Sequence, residues 1–320
     1  MSASDIPAGD DEVRGLPIDR DGAVITVGTF DGVHRGHQDV LRRLVQVAAA
    51  QGRPSLVVTF EPHPLEVVRP REAPPLLTLL EEKLAMFVQC GVHYVAVLPF
   101  TPQLAACDAA TFVDLVLRDR YSLAELLMGH DHGFGRNRHG DIDVLRRLGR
   151  DCGFGVTVLP PVPLGTGEAI SSSAIRNAVR NGALSAAKHA LGRWYSLSGR
   201  VVGGDRRGRL LGYPTINVSP PPPRKLLPPD GVYAVRVQTP RGPFGAMANL
   251  GPRPTFDDHQ RRVEAHLFDT DVQLYGASVQ VDFIEQLRET RQFSGPDALR
   301  AQLALDEAAA RGALTGAGQE

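Results

Sequence analysis

The chain has 320 residues, 42% hydrophobic and 22% charged, a globular balance that excludes a disordered protein. A formal net charge of −1 argues against a broad nucleic-acid surface, and no apolar run approaches the roughly 18 residues of a membrane span. The three scattered cysteines, Cys90, Cys107 and Cys152, fit a reducing, cytoplasmic setting rather than a disulfide frame.

Only Lys83, Lys188 and Lys225 are lysines among the 35 basic residues, and none follows a glycine. That removes any GxxxxGK[ST] phosphate loop. Phosphate, if handled, must be held by backbone amides, arginine, histidine and metal. Residues 1–20 read as a loose acidic tail without the apolar segment of a signal peptide. From Ala23 the pattern alternates. Strands are predicted at Ala23–Gly28, Ser55–Phe60, Tyr94–Phe100, Glu125–Gly129 and Gly155–Leu159. Helices are predicted at Gln38–Gln51, Leu79–Gln89, Ala109–Asp119 and Asp141–Cys152. Such alternation predicts a parallel sheet with covered faces and a ligand beyond the carboxyl ends of its strands.

Near Tyr195 the texture changes to short β-like runs with many glycines and prolines and no helix up to Val281. The strand expectations are Arg200–Val202, Gly231–Val237, Gly245–Leu250, Arg262–Phe268 and Ala277–Phe283, and Pro220–Pro223 and Pro228–Pro229 lie in loops. This spacing suggests a small barrel. Gly295–Arg311 reads as a closing amphipathic helix with capping residues at Ser294–Asp297. The expected domains are 21–192 and 193–315.

Two segments carry phosphate chemistry in the first domain. Gly28-Thr29-Phe30-Asp31-Gly32-Val33-His34-Arg35-Gly36-His37 follows the first strand and opens the first helix. Its glycines admit close backbone approach, and a helix N-terminus favours phosphate. His34 and His37, three apart, can face one point and donate to phosphate oxygens as charge builds. Alone, the pair reads rather as a glycine-rich turn with two solvated histidines. The remote Ser171-Ser172-Ser173-Ala174-Ile175-Arg176 can cap a helix, with Arg176 placed to stack or to bind phosphate.

In the second domain, Gly203–Asn217 is glycine-dense and basic, and its backbone amides with Arg206, Arg207 and Arg209 can hold a polyphosphate; alone, it reads rather as a solvated arginine loop followed by a turn. Thr215 and Asn217 point to one side of an extended segment and can jointly hold Mg²⁺. Glu264 lies on the opposite strand face from Val263 and Ala265 and can take a hydroxyl proton. A surface glutamate is the equal alternative.

The first pair of segments resembles the HxGH nucleotidyltransferase superfamily. With Thr59-Phe-Glu-Pro-His-Pro64, Leu77-Thr78, Glu82-Lys83-Leu84 and Gly129-His130-Asp131-His132-Gly133-Phe134-Gly135 it resembles the FMN adenylyltransferase module of bacterial FAD synthetases. Gly208–Asn217, Pro229–Ala234, Asn249–Phe256, Val263–His266, Leu274–Gly276 and Leu287–Phe293 resemble the riboflavin kinase domain. The resemblance covers about 21–311. It implies a Rossmann-like α/β domain followed by a small antiparallel β-barrel with a closing helix. It also implies two activities, ATP-dependent phosphorylation of riboflavin to FMN and adenylylation of FMN to FAD with release of pyrophosphate. Carried over residue by residue, Glu264, His34, His37 and Arg176 are catalytic. Gly28, Thr29, Phe30, Asp31, Gly36, Asp131, Ser171, Ser172, Gly208, Arg209 and Arg288 bind nucleotide or flavin, and Thr215 and Asn217 bind Mg²⁺.

Three places depart from the family pattern. Ser173 replaces threonine, His132-Gly133 stands where Phe-Arg is common, and Arg288-Glu289-Thr290 replaces Arg-x-Glu. The alternatives are one active domain only, a non-catalytic flavin- or nucleotide-binding regulator, and a zinc protein using His34, His37, His130, His132 or Cys152. The only tryptophan, Trp194, reads as packing rather than as a flavin stack.

Overall fold

The computed structural model describes residues 22–129, 142–160, 170–204, 207–252 and 260–317. It divides into two compact units between Ser172 and Ser173.

The first unit is built on five parallel strands, β1 (Ala23–Val27), β2 (Ser55–Glu61), β3 (Tyr94–Pro99), β4 (Leu123–Gly129) and β5 (Gly155–Leu159). Their order is β3-β2-β1-β4-β5. Strand β1 is buried throughout, as expected where helices cover both faces. Val24 and Val57 pack on one face with Leu41 and Leu44 of α1 (Arg35–Ala50) and Phe87 of α3 (Leu80–Gln89). Ile25, Val27 and Val58 pack on the other with Phe112, Val116 and Leu145. Leu41, Leu44 and Ala48 lie at the helical spacing that buries one stripe of α1. The order reverses between β1 and β4, and crevices for ligands form at the carboxyl ends of such neighbours.

The helix expected at Ala109–Asp119 is α-helical only over α5 (Ala109–Phe112) and continues as a π-helical stretch, Val113–Arg118. There the Asp119 N–H reaches back to the Asp114 carbonyl. The wider turn keeps Val113, Val116 and Leu117 buried. Helix α6 (Ile142–Cys152) lies close to its expected place, whereas the short helices α2 (Pro64–Val68) and α4 (Pro102–Ala106) were not foreseen.

The second unit opens with α7 (Ser172–Arg180), whose first residue closes the first unit, and α8 (Leu184–Leu191). The barrel comprises β6 (Tyr195–Val202), β7 (Ile216–Val218), β8 (Gly231–Thr239), β9 (Gly242–Pro252), β10 (Arg261–Leu267) and β11 (Ser278–Arg288). These close in the order β10-β7-β6-β11-β8-β9, antiparallel throughout. The expectation of no helix before Val281 is corrected by one helical turn, α9 (Arg207–Leu210). Strand β7 was also missed, because three residues are too few to show a period. Tyr233 and Phe283 meet edge to face in the core, 5.3 Å between ring centroids. Burial pushes the Tyr233 hydroxyl up to about 12, and that hydroxyl donates to the Pro229 carbonyl.

Helix α10 (Pro296–Ala317) packs over Ala234, Met247 and Ile284 of the barrel. Trp194 joins this apolar cluster, with the Lys188 ammonium 4.3 Å above its ring. Asp306 of α10, almost fully buried, takes a forked bond from the Arg288 guanidinium at 2.9 and 2.7 Å. Removing one member of a buried pair leaves the other charge uncompensated. Asp306→Ala is therefore expected to destabilise the barrel unit by about 3 kcal/mol, read by urea unfolding with Trp194 fluorescence. A loss below about 0.5 kcal/mol, the scale of an exposed pair, would mean that the apolar cluster alone holds α10.

Candidate functional site

The first site forms after β1, where the loop 28–34 turns into α1. The Gly28 N–H continues the sheet by donating to the Val58 carbonyl. The Phe30 ring is buried in the core, edge-on to Phe87 at 5.5 Å and to His37 at 5.2 Å. The Asp31 carboxylate is buried too and accepts from the backbone N–H groups of Leu77 and Thr78 at 3.1 and 3.0 Å. The Gly32 N–H donates to Thr78 Oγ1. These side chains hold the loop in shape.

His34 caps α1, its Nδ1 accepting the His37 N–H at 3.3 Å. With Nδ1 as acceptor, the neutral ring carries its proton on Nε2. The His34 and His37 rings stack, 3.6 Å between centroids and 18° between planes. Gly36 lies close to the His34 ring: a Cβ there would stand 3.3 Å from it, so the ring would have to give by a few tenths of an ångström.

The remote serine segment comes to this loop. Ser172 Oγ donates to the Asp31 carbonyl at 2.9 Å, across 141 residues of chain. Ser171 immediately precedes α7, and Arg176 is buried one turn into it. Asp131, with His130, His132 and Gly133, lies outside the described residues, as does Arg206.

Sequence reasoning quoted Thr59, Thr78 and Lys83 but gave them no role. Lys83 Nζ, buried, donates to the Thr29 carbonyl and to Thr59 Oγ1, each at 3.1 Å. Its rarity among the basic residues was the one available signal.

In the barrel unit, β10 places Glu264 opposite Asn217 of β7 on one side and opposite Asn249 of β9 on the other. Val263, Ala265 and Leu267 turn into the core while Glu264 lies on the alternate face, as the period of two expected. Asn217 is buried, and Gly204 accommodates it: a Cβ on Gly204 would stand 2.2 Å from the Asn217 amide nitrogen. The turn before β7 closes on Gly208, whose carbonyl accepts from the Tyr213 N–H at 2.8 Å. The Pro214 carbonyl lies 2.7 Å from His266 Nδ1.

A cavity of about 270 Å³ opens beside this turn. Arg209, Pro214, Thr215 and Ile216 line one wall, and Leu267 with Thr270–Tyr275 lines another. The 270–273 part of that wall was not foreseen, since it belongs to no regular element. Arg288 is engaged with Asp306 and with the Glu289 carbonyl, and Glu289 and Thr290 are exposed. Among the described residues no three His, Cys, Asp or Glu gather as a metal cluster, and no helix is long and apolar enough to cross a membrane.

Comparison with known proteins follows the same division. The FAD synthetase family matches residues 17–174 and the riboflavin kinase family residues 191–314. A bifunctional riboflavin kinase/FMN adenylyltransferase of Escherichia coli (strain K12) is 40% identical over 293 residues, covering 91% of this chain and 93% of that one. One from Pseudomonas fluorescens is 40% identical over 291 residues, covering 91% and 92%. A crystal structure described as a macrolide-efflux protein from Streptococcus pneumoniae is 30% identical, covers 97% of both chains and has a TM-score of 0.82. Both halves of the chain matching in order, and 40% identity along 91% of its length, place it in one group: the chain belongs to the bifunctional riboflavin kinase/FMN adenylyltransferase family.

Proposed function

We propose that the protein makes FAD in two ATP-dependent steps, with riboflavin phosphorylated in the barrel unit and the resulting FMN adenylylated at the parallel sheet. The observation that carries the reading is the meeting of sequence-remote halves in each unit, Ser172 on Asp31 and Asn217 beside Glu264.

In adenylylation, an FMN phosphate oxygen attacks the α-phosphorus of ATP and the bond to pyrophosphate breaks. No protein nucleophile is required, so catalysis is positioning and charge stabilisation. His34 Nε2–H and His37 donate to the phosphate oxygens as negative charge builds. The backbone of Gly28, Thr29, Phe30, Asp31 and Gly36, the hydroxyls of Ser171 and Ser172, and Arg176 hold the nucleotide. The family resemblance assigns Asp131 to nucleotide binding as well.

In phosphorylation, Glu264 takes the proton of the riboflavin 5′-hydroxyl, whose oxygen attacks the γ-phosphorus, and ADP leaves. Gly208 and Arg209 cover the phosphates, and Arg288 lies at the flavin. Mg²⁺ fits the oxygen donors here: one hydroxyl (Thr215) and one buried amide (Asn217), with a glycine at 204 clearing the space. Such a sparse set suits an ion that keeps waters and arrives with nucleotide phosphates. When bound, the metal neutralises charge on those phosphates.

The functional boundary is set between 192 and 193, near the gap between the two matched spans. Helices α7 and α8 are assigned to the transferase because α7 carries Arg176. The three cysteines, none of them in a disulfide, fit a cytoplasmic location.

Flavin chromatography tests the scheme. Riboflavin, ATP and Mg²⁺ should give FMN and then FAD, and supplied FMN should give FAD. FMN as the sole product would leave only the kinase; FAD solely from supplied FMN would leave only the transferase. Gly204→Ala is a finer test. Its Cβ would displace the Asn217 amide, so FMN formation should fall at least roughly tenfold, as expected for a misplaced metal-binding group. FAD formation from supplied FMN should hold. Unchanged kinase activity would remove Asn217 from the site.

A further inference from the structure

The loop after β1 contains two non-glycine residues in the left-handed region, Phe30 at φ +49° and Val33 at φ +37°. Such conformations cost about 1 kcal/mol or more each and persist only where surroundings enforce them. Helix α3 touches this loop at two described points, one turn apart. Phe87 meets the Phe30 ring edge-on at 5.5 Å. Lys83 sends its ammonium to the Thr29 carbonyl at 3.1 Å. Thr59 of β2 ties in the same carbonyl, accepting from Lys83 and donating to Thr29 at 3.3 Å.

A trans peptide points its carbonyl and the following N–H in opposite directions. Holding the Thr29 carbonyl toward Lys83 therefore turns the Phe30 N–H away from α3. Phe87 of the same helix packs on the Phe30 ring, which also meets the His37 ring at 5.2 Å. A buried ammonium with fixed oxygen acceptors is a rigid anchor, because moving it without its bonds is strongly unfavourable.

We infer that Lys83 is a positioning residue for adenylyl transfer, fixing the Thr29–Phe30 peptide and, through Phe30, the His37 ring. The inference rests on the adenylyltransferase reading of this loop. Lys83 touches no reacting atom in this account. It acts through the direction of one backbone donor and the seat of one imidazole, and small displacements of such groups are costly in rate.

The test uses the full chain and follows FAD formation from FMN and ATP. Wild-type protein comes first: no FAD from it would defeat the adenylyltransferase reading itself, whatever Lys83 does. Lys83→Met keeps the side-chain length and removes the charge and its donors. Near-UV circular dichroism and a thermal melt set an assay temperature at which the variant is folded. There kcat for FAD formation should fall at least about tenfold, with KM for ATP within about threefold, the pattern of an interaction that matters in the transition state. Riboflavin phosphorylation should stay at the parental rate. If Lys83→Met does not fold, Thr59→Val and Thr59→Ser replace it: valine should lower kcat and serine should restore it. The inference is overturned if folded Lys83→Met keeps its kcat. It is equally overturned if only KM rises, or if Thr59→Val keeps the parental kcat.

Discussion

Glu264→Gln is expected to abolish FMN formation from riboflavin while FAD formation from supplied FMN continues at the parental rate. The substitution keeps the size of the side chain and its place on β10 between Asn217 and Asn249. What it removes is the capacity to take a proton. A hydroxyl is a poor nucleophile until its proton has a destination, and general-base catalysis contributes roughly 10²–10⁴-fold. The kinase rate should fall on that scale, in kcat, with little change in the affinity for ATP, because the carboxylate acts on the flavin alcohol. Glu264 lies on the strand face away from the barrel core, so the fold should survive the change. The two flavin steps are separable by starting material. Equal loss of both would defeat the assignment of one reaction to each unit, and a retained kinase rate would make Glu264 a surface carboxylate.

His37→Ala should slow FAD formation from FMN by at least roughly 10²-fold, the scale of losing one preorganised donor to developing charge. The ring is held before any ligand arrives. It stacks on His34 at 3.6 Å and meets the edge of Phe30. Because His34 Nδ1 accepts the backbone N–H of residue 37, alanine at 37 preserves that bond and the cap of α1. The loss should therefore report the missing imidazole and leave the helix start intact. His37→Gln, which restores a donor without the ring, should recover part of the rate. Riboflavin phosphorylation should not change in either variant. A wild-type rate in His37→Ala would remove this histidine from the mechanism.

The alternation of apolar runs and amphipathic stretches was enough to read the five parallel strands; burial on both faces leaves its most continuous record in the central strands β1 and β2. The same record placed the two motif segments of the first unit. The glycine- and histidine-rich turn follows β1, and the serine segment lies beyond β5. The two-residue period of β10 also put Glu264 and the core residues on opposite faces. The motif residues thus carried both the family resemblance and the fold class.

Other features rested on contacts between residues far apart in the chain, which no local period records. Phe30 and Asp31 read as ligand contacts in the sequence, which did not show that both side chains are buried, the Asp31 carboxylate bonded to the Leu77 and Thr78 N–H groups. Lys83 reads as one cation in a helix until α3 and β2 bring it to the Thr29 carbonyl. Strand β7 becomes legible only through its partners: three residues have no period of their own, yet pairing with β10 and β6 places Asn217 beside Glu264. The amino-acid sequence determined which residue types and local elements were present, because those follow from neighbours a few positions apart. The tertiary structure alone decided which side chains are packed inward and hold these loops in shape, because that depends on what packs behind them.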